Sequence, residues 1–124
     1  MSVIVTDAGF APDKATDWHD LAPDTPPKEM ARITREAGAI RIAFPNFADG
    51  RGFTLAASLR RAGFTGRLRA AGHVLADQYA MARRAGFDEV EISHALAARQ
   101  PEAQWLARAD WRAHDYRARL RRRA

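Results

Sequence analysis

The sequence repeats one short pattern three times, and this repeat constrains the fold more than any other feature. Arg35-Glu36-Ala37-Gly38 is followed by Arg60-Arg61-Ala62-Gly63 and Arg83-Arg84-Ala85-Gly86, at spacings of 25 and 23 residues. Each copy closes an amphipathic stretch and precedes an apolar one. Basic side chains in the last turn complement the negative end of a helix dipole, and a following glycine can adopt the left-handed conformation that ends helices. We therefore interpret the chain as about three repeated helix–strand units.

Apolar residues at helical spacing precede each copy, and Thr54 is the predicted N-cap of the second helix. The predicted strands are residues 39–44, 66–71 and 88–93. Strands that alternate with helices of this length predict an α/β fold with a small parallel sheet and right-handed crossovers. The polar residues that alternate along these strands indicate that one face of the sheet is less deeply buried, or that the sheet is small.

The 124 residues fit a single domain with three parts. Residues 1–27 are predicted to form an extended N-terminal arm over the core, with Trp18 as its bulky anchor and Val3-Ile4-Val5 as a short strand at a sheet edge. Residues 28–100 hold the repeated units. Residues 101–124 are predicted to form a long basic helix, whose buried stripe contains Trp105, Ala109, Tyr116 and Leu120.

Composition excludes several classes of protein. The absence of cysteine rules out disulfides, thiol catalysis and cysteine-ligated iron–sulfur clusters. Without a membrane-length apolar run or a signal peptide, the expected location is the cytoplasm. Acidic residues concentrate in residues 1–29 and arginines in residues 108–123, so the net charge of +5 is unevenly spread. Since no recognised binding motif accompanies the basic tail, we do not predict nucleic-acid binding.

Ligands of parallel α/β sheets bind beyond the carboxyl ends of the strands, where three loops of this chain are expected to converge. The candidate anion-binding or ligand-binding residues are Asp49, Gly50, Arg51, Gly52, His73, Asp77, Gln78 and His94. In the Asp-Gly-Arg-Gly loop, the glycines would let backbone N–H groups approach a ligand, and Arg51 could bind an oxyanion. The alternative is a tight turn with positive φ at both glycines, in which Asp49 and Arg51 pair with each other or with the neighbouring loop.

The basic tail offers a second candidate surface, for a partner protein, formed by Arg108, Trp111, Arg112 and Arg119. Trp111 lies off the buried stripe of the last helix, so it could anchor an interface or pack against the N-terminal arm. We predict no metal site, because the candidate ligands are on separate loops and fewer than four. No catalytic dyad and no cofactor fingerprint is found, so no cofactor is expected.

Three segments together carry a family resemblance. They are Phe44-Pro45-Asn46-Phe47-Ala48-Asp49-Gly50-Arg51-Gly52-Phe53, Leu68-Arg69-Ala70-Ala71-Gly72-His73-Val74-Leu75-Ala76-Asp77-Gln78 and Arg84-Ala85-Gly86-Phe87-Asp88. The chain resembles a family of small bacterial proteins of unknown function labelled "oxidoreductase probably involved in sulfite reduction". That family usually has an acidic residue at the position of His73 and often cysteine at that of Ala85.

The resemblance implies a place in sulfur assimilation without naming a reaction, and two functional hypotheses remain. In the first, the protein is a non-catalytic accessory that docks on sulfite reductase or its electron donor through the basic tail. In the second, it is a small enzyme or binding domain for an oxyanion or a phosphorylated metabolite, and uses the Asp-Gly-Arg-Gly loop. Whether the protein is an enzyme stays open, because electron transfer needs a redox group and the sequence shows none.

Overall fold

The computed structural model describes residues 2–14 and 16–112. Its strands are β1 (Ser2–Thr6), β2 (Gly9–Ala11), β3 (His19–Leu21), β4 (Ala39–Phe44), β5 (Arg67–Gly72) and β6 (Glu89–Ser93). Its helices are α1 (Met30–Glu36), α2 (Arg51–Arg61), α3 (Tyr79–Ala85), α4 (His94–Arg99) and α5 (Glu102–Leu106), with short 3-10 turns at Pro27–Glu29 and Ala76–Gln78. None of these helices is long and apolar enough to cross a bilayer.

The fold is α/β and contains the three predicted helix–strand units, α1–β4, α2–β5 and α3–β6. The strand order is β2-β1-β6-β5-β4-β3, and the four strands from β3 to β6 are parallel. The parallel sheet expected for the three units is confirmed; outside it, β1 runs antiparallel to β6, and a hairpin returns the chain as β2. β1 pairs at an edge of the parallel strands, as predicted for residues 3–5; that edge is β6, and β2 is the outermost strand.

One face of the sheet packs against the helices and forms the apolar core. Alternate residues of the parallel strands point to this face, because successive side chains of a strand lie on opposite sides. Ile40, Ile42 and Leu68 are fully buried among the side chains of α2, including Leu55 and Leu59. The helices therefore cover only this face of the sheet, and other parts of the chain must shield the opposite face from solvent.

The opposite face carries a network of charged side chains. Arg69 lies at its centre with a side chain that is 0% exposed. It donates hydrogen bonds to Glu89 Oε2 (2.7 Å), Glu91 Oε1 (2.7 Å) and Asp13 Oδ1 (3.0 Å). On either side, Arg67 pairs with Glu89, and Arg41 pairs with Glu91 and Asp20. The expectation of a less deeply buried face therefore fails at Arg69.

The N-terminal arm covers this charged face, as predicted. The Trp18 ring lies 4.4 Å from the guanidinium carbon of Arg69, 5.1 Å from that of Arg67 and 5.8 Å from that of Arg41. Cations attract the face of an aromatic ring, so one tryptophan contacts all three arginines. The arm is not wholly extended, because β2 and β3 pair with the sheet on either side of this segment.

The repeated Arg-x-Ala-Gly pattern has a structural basis beyond the helix dipole. Gly63 and Gly86 have positive φ angles of 100° and 119°, as predicted, whereas Gly38 does not. Arg60 donates to the carbonyl of Phe64 and Arg83 to that of Phe87, four residues onward in both cases. The arginine therefore closes the helix end in the second and third units through the same hydrogen bond.

The predicted C-terminal helix begins after Pro101, but α5 ends at Leu106, and residues 107–112 are not helical and have turns at 107–108 and 111–112. Trp105 is buried as expected, and its indole donates to Gln100 O. The continuous helix is wrong up to residue 112, because Arg84 binds the Trp111 carbonyl and draws this segment onto α3. The remaining predicted positions of the stripe, Tyr116 and Leu120, lie outside the described residues.

Candidate functional site

The Asp-Gly-Arg-Gly loop follows β4 and leads directly into α2. Asp49 and Arg51 pair with each other: Arg51 Nε lies 3.0 Å from Asp49 Oδ1, and Nη2 lies 2.8 Å from Oδ2. The Arg51 backbone N–H also donates to Asp49 Oδ1 (3.1 Å). These hydrogen bonds lower the pKa of Asp49, and the same carboxylate raises the pKa of Arg51. The Asp49 carboxylate thus occupies the two guanidinium N–H donors of Arg51 that an oxyanion would need.

The two glycines of this loop do not have the positive φ angles of the tight-turn alternative. Gly50 has φ of −90°, and Gly52 lies in the first turn of α2, which begins at Arg51 and not after Thr54. Gly52 is needed for another reason. A Cβ atom there would lie 2.5 Å from the Phe44 ring, so the residue lets α2 approach the end of β4 closely.

Asp77 and Gln78 lie in the 3-10 turn before α3, and both have partners within the chain. Gln78 Oε1 accepts from Leu75 N (2.9 Å), and its Nε2 donates to Phe47 O (3.3 Å). Asp77, with a side chain 81% exposed, pairs with Arg108 at 2.8 Å. Gln78 thus connects the turn to the loop after β4, while Asp77 connects it to the segment after α5.

A small cleft lies beyond the carboxyl ends of β5 and β6. Phe47, His73, Ser93 and Arg99 line it, and its volume is about 180 Å³. The His73 ring contacts the Phe47 ring edge-on at a centroid distance of 5.0 Å, and its Nδ1 lies 3.2 Å from Phe44 O. His94 does not join this cleft. It lines a separate open depression beside Ser2 and Phe10.

Trp111 packs against the N-terminal arm and α3, which is one of the two alternatives for this residue. Its Nε1 donates to Asp7 Oδ2 (3.3 Å), and the Arg83 guanidinium lies 4.7 Å from its ring centroid. Arg112 lies 4.8 Å from the same ring, and Arg84 donates to the Trp111 carbonyl at 3.2 Å. The indole is thus contacted by two arginines and one aspartate, and a third arginine, Arg84, binds the backbone of the same residue.

Around Trp111, the outer side of α3 and the segment after α5 form one surface, which we call the basic patch. Its exposed basic members are Arg84, Arg108 and Arg112. Two exposed apolar side chains lie on the adjoining helices, Met81 (51%) on α3 and Leu106 (43%) at the end of α5. The fourth predicted member of the partner surface, Arg119, lies outside the described residues.

Asp7 connects the basic patch to the core. Tyr79, fully buried, donates its hydroxyl to Asp7 Oδ1 (2.5 Å), and Arg83 donates to both carboxylate oxygens. Burial alone would raise the pKa of Asp7, but the hydrogen bonds from Tyr79, Arg83 and Trp111 outweigh it and lower that pKa. Burial and the Asp7 hydrogen bond together raise the pKa of Tyr79.

The lowered pKa of Asp7 predicts a specific dependence of stability on pH. A carboxyl group with a depressed pKa stabilises the fold above its unfolded value of about 3.9, and loses this contribution as pH falls through the folded value. We expect Asp7→Asn to lower the Tm at neutral pH, and this deficit to shrink as the pH falls below about 4. Thermal unfolding of both proteins across this range tests the prediction. A deficit that is constant with pH would contradict it.

Sequence reasoning missed Arg99 and the Asp7–Tyr79–Arg83 contacts. A basic residue in the last turn of a helix is a general pattern, so nothing marks Arg99 as a cleft residue. Asp7 lies 72 positions from Tyr79, and only the hairpin of β1 and β2 brings them together. Within the described ranges 2–14 and 16–112, no three histidine or acidic side chains are grouped as a metal site requires.

Comparison with known proteins identifies the family and no individual relative. No curated protein and no solved structure matches the chain. Residues 20–123 match the model of a family described as "Bacterial protein of unknown function (DUF934)". This range includes all three helix–strand units, the cleft and the basic patch. Because the match covers well over half of the sequence, the chain belongs to this bacterial family of unknown function, DUF934.

Proposed function

We propose that this protein is a non-catalytic accessory of assimilatory sulfite reduction in the cytoplasm. The basic patch would bind an acidic surface of sulfite reductase or of its electron donor. The observation that carries the docking role is the exposure of Arg84, Arg108 and Arg112 on α3 and on the segment after α5, two elements that meet at Trp111. The pathway is suggested only by the label of the family that the chain resembles.

The make-up of the basic patch supports protein docking. Interfaces are enriched in arginine, methionine and aromatic residues, and the patch combines such residues with the exposed Met81 and Leu106. In sequence, five further arginines follow Arg112 before the end of the chain. An excess of positive charge would steer an acidic partner toward this surface and accelerate association at low salt.

The basic patch is also held in place by the fold. Arg108 is tied to Asp77 (2.8 Å), the Trp111 carbonyl accepts from Arg84, and the preceding helix α5 is anchored by buried Trp105. A surface that is ordered before binding loses less conformational entropy when a partner docks. Such order favours a specific docking site over a loose electrostatic attraction.

Docking predicts a complex that weakens with salt. We expect the protein to co-elute with the sulfite reductase of its own host, or with the electron donor, at low ionic strength, and to separate from it at high ionic strength. Arg84→Gln combined with Arg112→Gln should weaken the complex by roughly tenfold or more, since each charge contributes to a desolvated contact. Size-exclusion chromatography and titration calorimetry measure the two effects.

The matched control removes two exposed arginines from other helix ends. Arg35→Gln combined with Arg61→Gln lowers the net charge by the same amount but leaves the basic patch intact. This variant should bind like the wild type at each salt concentration. If both double variants lose affinity equally, the effect reflects net charge and not the basic patch. If no complex forms at any salt concentration, the docking role is refuted.

Oxyanion binding at the Asp-Gly-Arg-Gly loop ranks second. Arg51 already forms two hydrogen bonds with the Asp49 carboxylate, so an anion would have to displace it. If the loop is nevertheless the site, Arg51→Ala will abolish thermal stabilisation by the anion while the fold is kept.

A further inference from the structure

The cleft lined by Phe47, His73, Ser93 and Arg99 is separate from both the Asp49–Arg51 pair and the basic patch. It lies where parallel α/β sheets bind ligands, beyond the carboxyl ends of the adjacent strands β5 and β6. Its volume of about 180 Å³ is below the roughly 300–1,000 Å³ of sites for drug-sized molecules. The volume suits a small ligand such as an inorganic anion.

Arg99 provides an uncommitted positive charge at this cleft. Its side chain is exposed and makes no hydrogen bond or ion pair with any described residue. The arginines of the sheet and of the loop after β4 are instead paired with carboxylates. A guanidinium without a carboxylate partner can bind an oxyanion through two parallel hydrogen bonds.

His73 provides a second polar group, and its ring is oriented in advance. The ring contacts Phe47 edge-on, and Nδ1 lies 3.2 Å from the Phe44 carbonyl oxygen. A carbonyl only accepts hydrogen bonds, so Nδ1 carries the hydrogen in this contact, and Nε2 of the neutral ring is an acceptor. Nε2 is therefore the ring nitrogen left for a ligand, and it requires a ligand that can donate.

We propose that this cleft binds a small oxyanion that retains a proton, of which hydrogen phosphate is the simplest. Arg99 pairs with the charged oxygens, and His73 Nε2 accepts a hydrogen bond from the remaining O–H. The proposal rests on Arg99 and His73 of this chain. It does not depend on the docking role, because no residue of the cleft belongs to the basic patch.

Thermal shift with inorganic phosphate tests the site. At mildly alkaline pH, hydrogen phosphate has an O–H group and sulfate has none. Phosphate should therefore raise the Tm of the wild type more than sulfate does at equal ionic strength. Arg99→Gln should weaken phosphate binding by roughly tenfold or more, because a charge-assisted hydrogen bond is lost. Arg99 has no partner among residues 2–14 and 16–112, so this variant should fold normally.

Two further variants separate the roles. In His73→Asn the side-chain amide can still donate to the Phe44 carbonyl, but Nε2 is absent, so the preference for phosphate over sulfate should disappear. Arg35→Gln removes another exposed arginine from the last turn of a helix and should bind phosphate like the wild type. The proposal is overturned if phosphate and sulfate stabilise the wild type equally, or if Arg99→Gln retains the phosphate-induced shift.

Discussion

Replacing Arg69 by alanine is expected to lower the free energy of unfolding by about 3–5 kcal/mol, because it leaves buried charges without their partner. The Arg69 side chain is fully buried and hydrogen-bonded to Glu89, Glu91 and Asp13. Without Arg69, the carboxylates of Glu89 and Glu91, two residues apart on β6, repel each other more strongly because less positive charge lies between them. The replacement also removes the nearest cation from the Trp18 ring, which holds the arm on the sheet.

Urea unfolding of wild type and variant measures this loss, and Arg67→Ala is the matched control. Arg67 also pairs with Glu89 and lies near Trp18, but its side chain is 37% exposed. Ion pairs open to solvent contribute about 0–1 kcal/mol, so the control should be much less destabilised. If the two variants lose similar stability, burial of Arg69 is not what makes the network important.

Replacing Trp105 by alanine is expected to destabilise the protein by about 3–5 kcal/mol as well, because it opens a large cavity beneath α5. Trp105 is 1% exposed, meets the Tyr79 ring edge-on at 6.1 Å and donates its indole N–H to Gln100 O at 2.9 Å. Since α5 leads into Arg108 and Trp111, the same change should displace the basic patch and weaken docking.

Thermal and urea unfolding measure the stability effect, and two variants calibrate it. Trp105→Phe keeps much of the buried volume and should cost less than the alanine variant. Leu106→Ala alters the neighbouring side chain, which is 43% exposed, and should change stability by about 0.5 kcal/mol or less. If Trp105→Ala leaves stability unchanged, α5 does not depend on this tryptophan for its position.

The sequence predicts the repeated part of the fold well because local signals coincide there. For β4, apolar residues alternate between Gly38 and Pro45. This pattern predicted the strand with the bounds that the structure has, Ala39–Phe44. The strands β2 and β3 each have three residues, so their own sequence carries almost no periodic signal. They exist through pairing with β1 and β4, which a reading of local patterns does not detect.

The candidate site was less predictable, since its features depend on distant contacts. The Asp49–Arg51 pair was foreseen as an alternative, because the two residues are close in sequence. The requirement for glycine at position 52 was not predicted, because it depends on how closely the Phe44 ring approaches this position in the folded structure. Arg69 looked like a polar residue on a partly open face, but the arm that buries it precedes it by more than 50 residues in sequence.

The pairing of β1 with β6 has a consequence for synthesis of the protein. Residues Ser2–Val5 leave the ribosome long before their partners Val90–Ser93 have been translated. The N-terminal arm also cannot dock until Arg69 has been translated, because Asp13 and Trp18 contact this residue. Contacts of such sequence separation close slowly. The hairpin of β1 and β2 can form early, but the edge of β1 that binds β6 must stay unpaired until the third helix–strand unit has been translated.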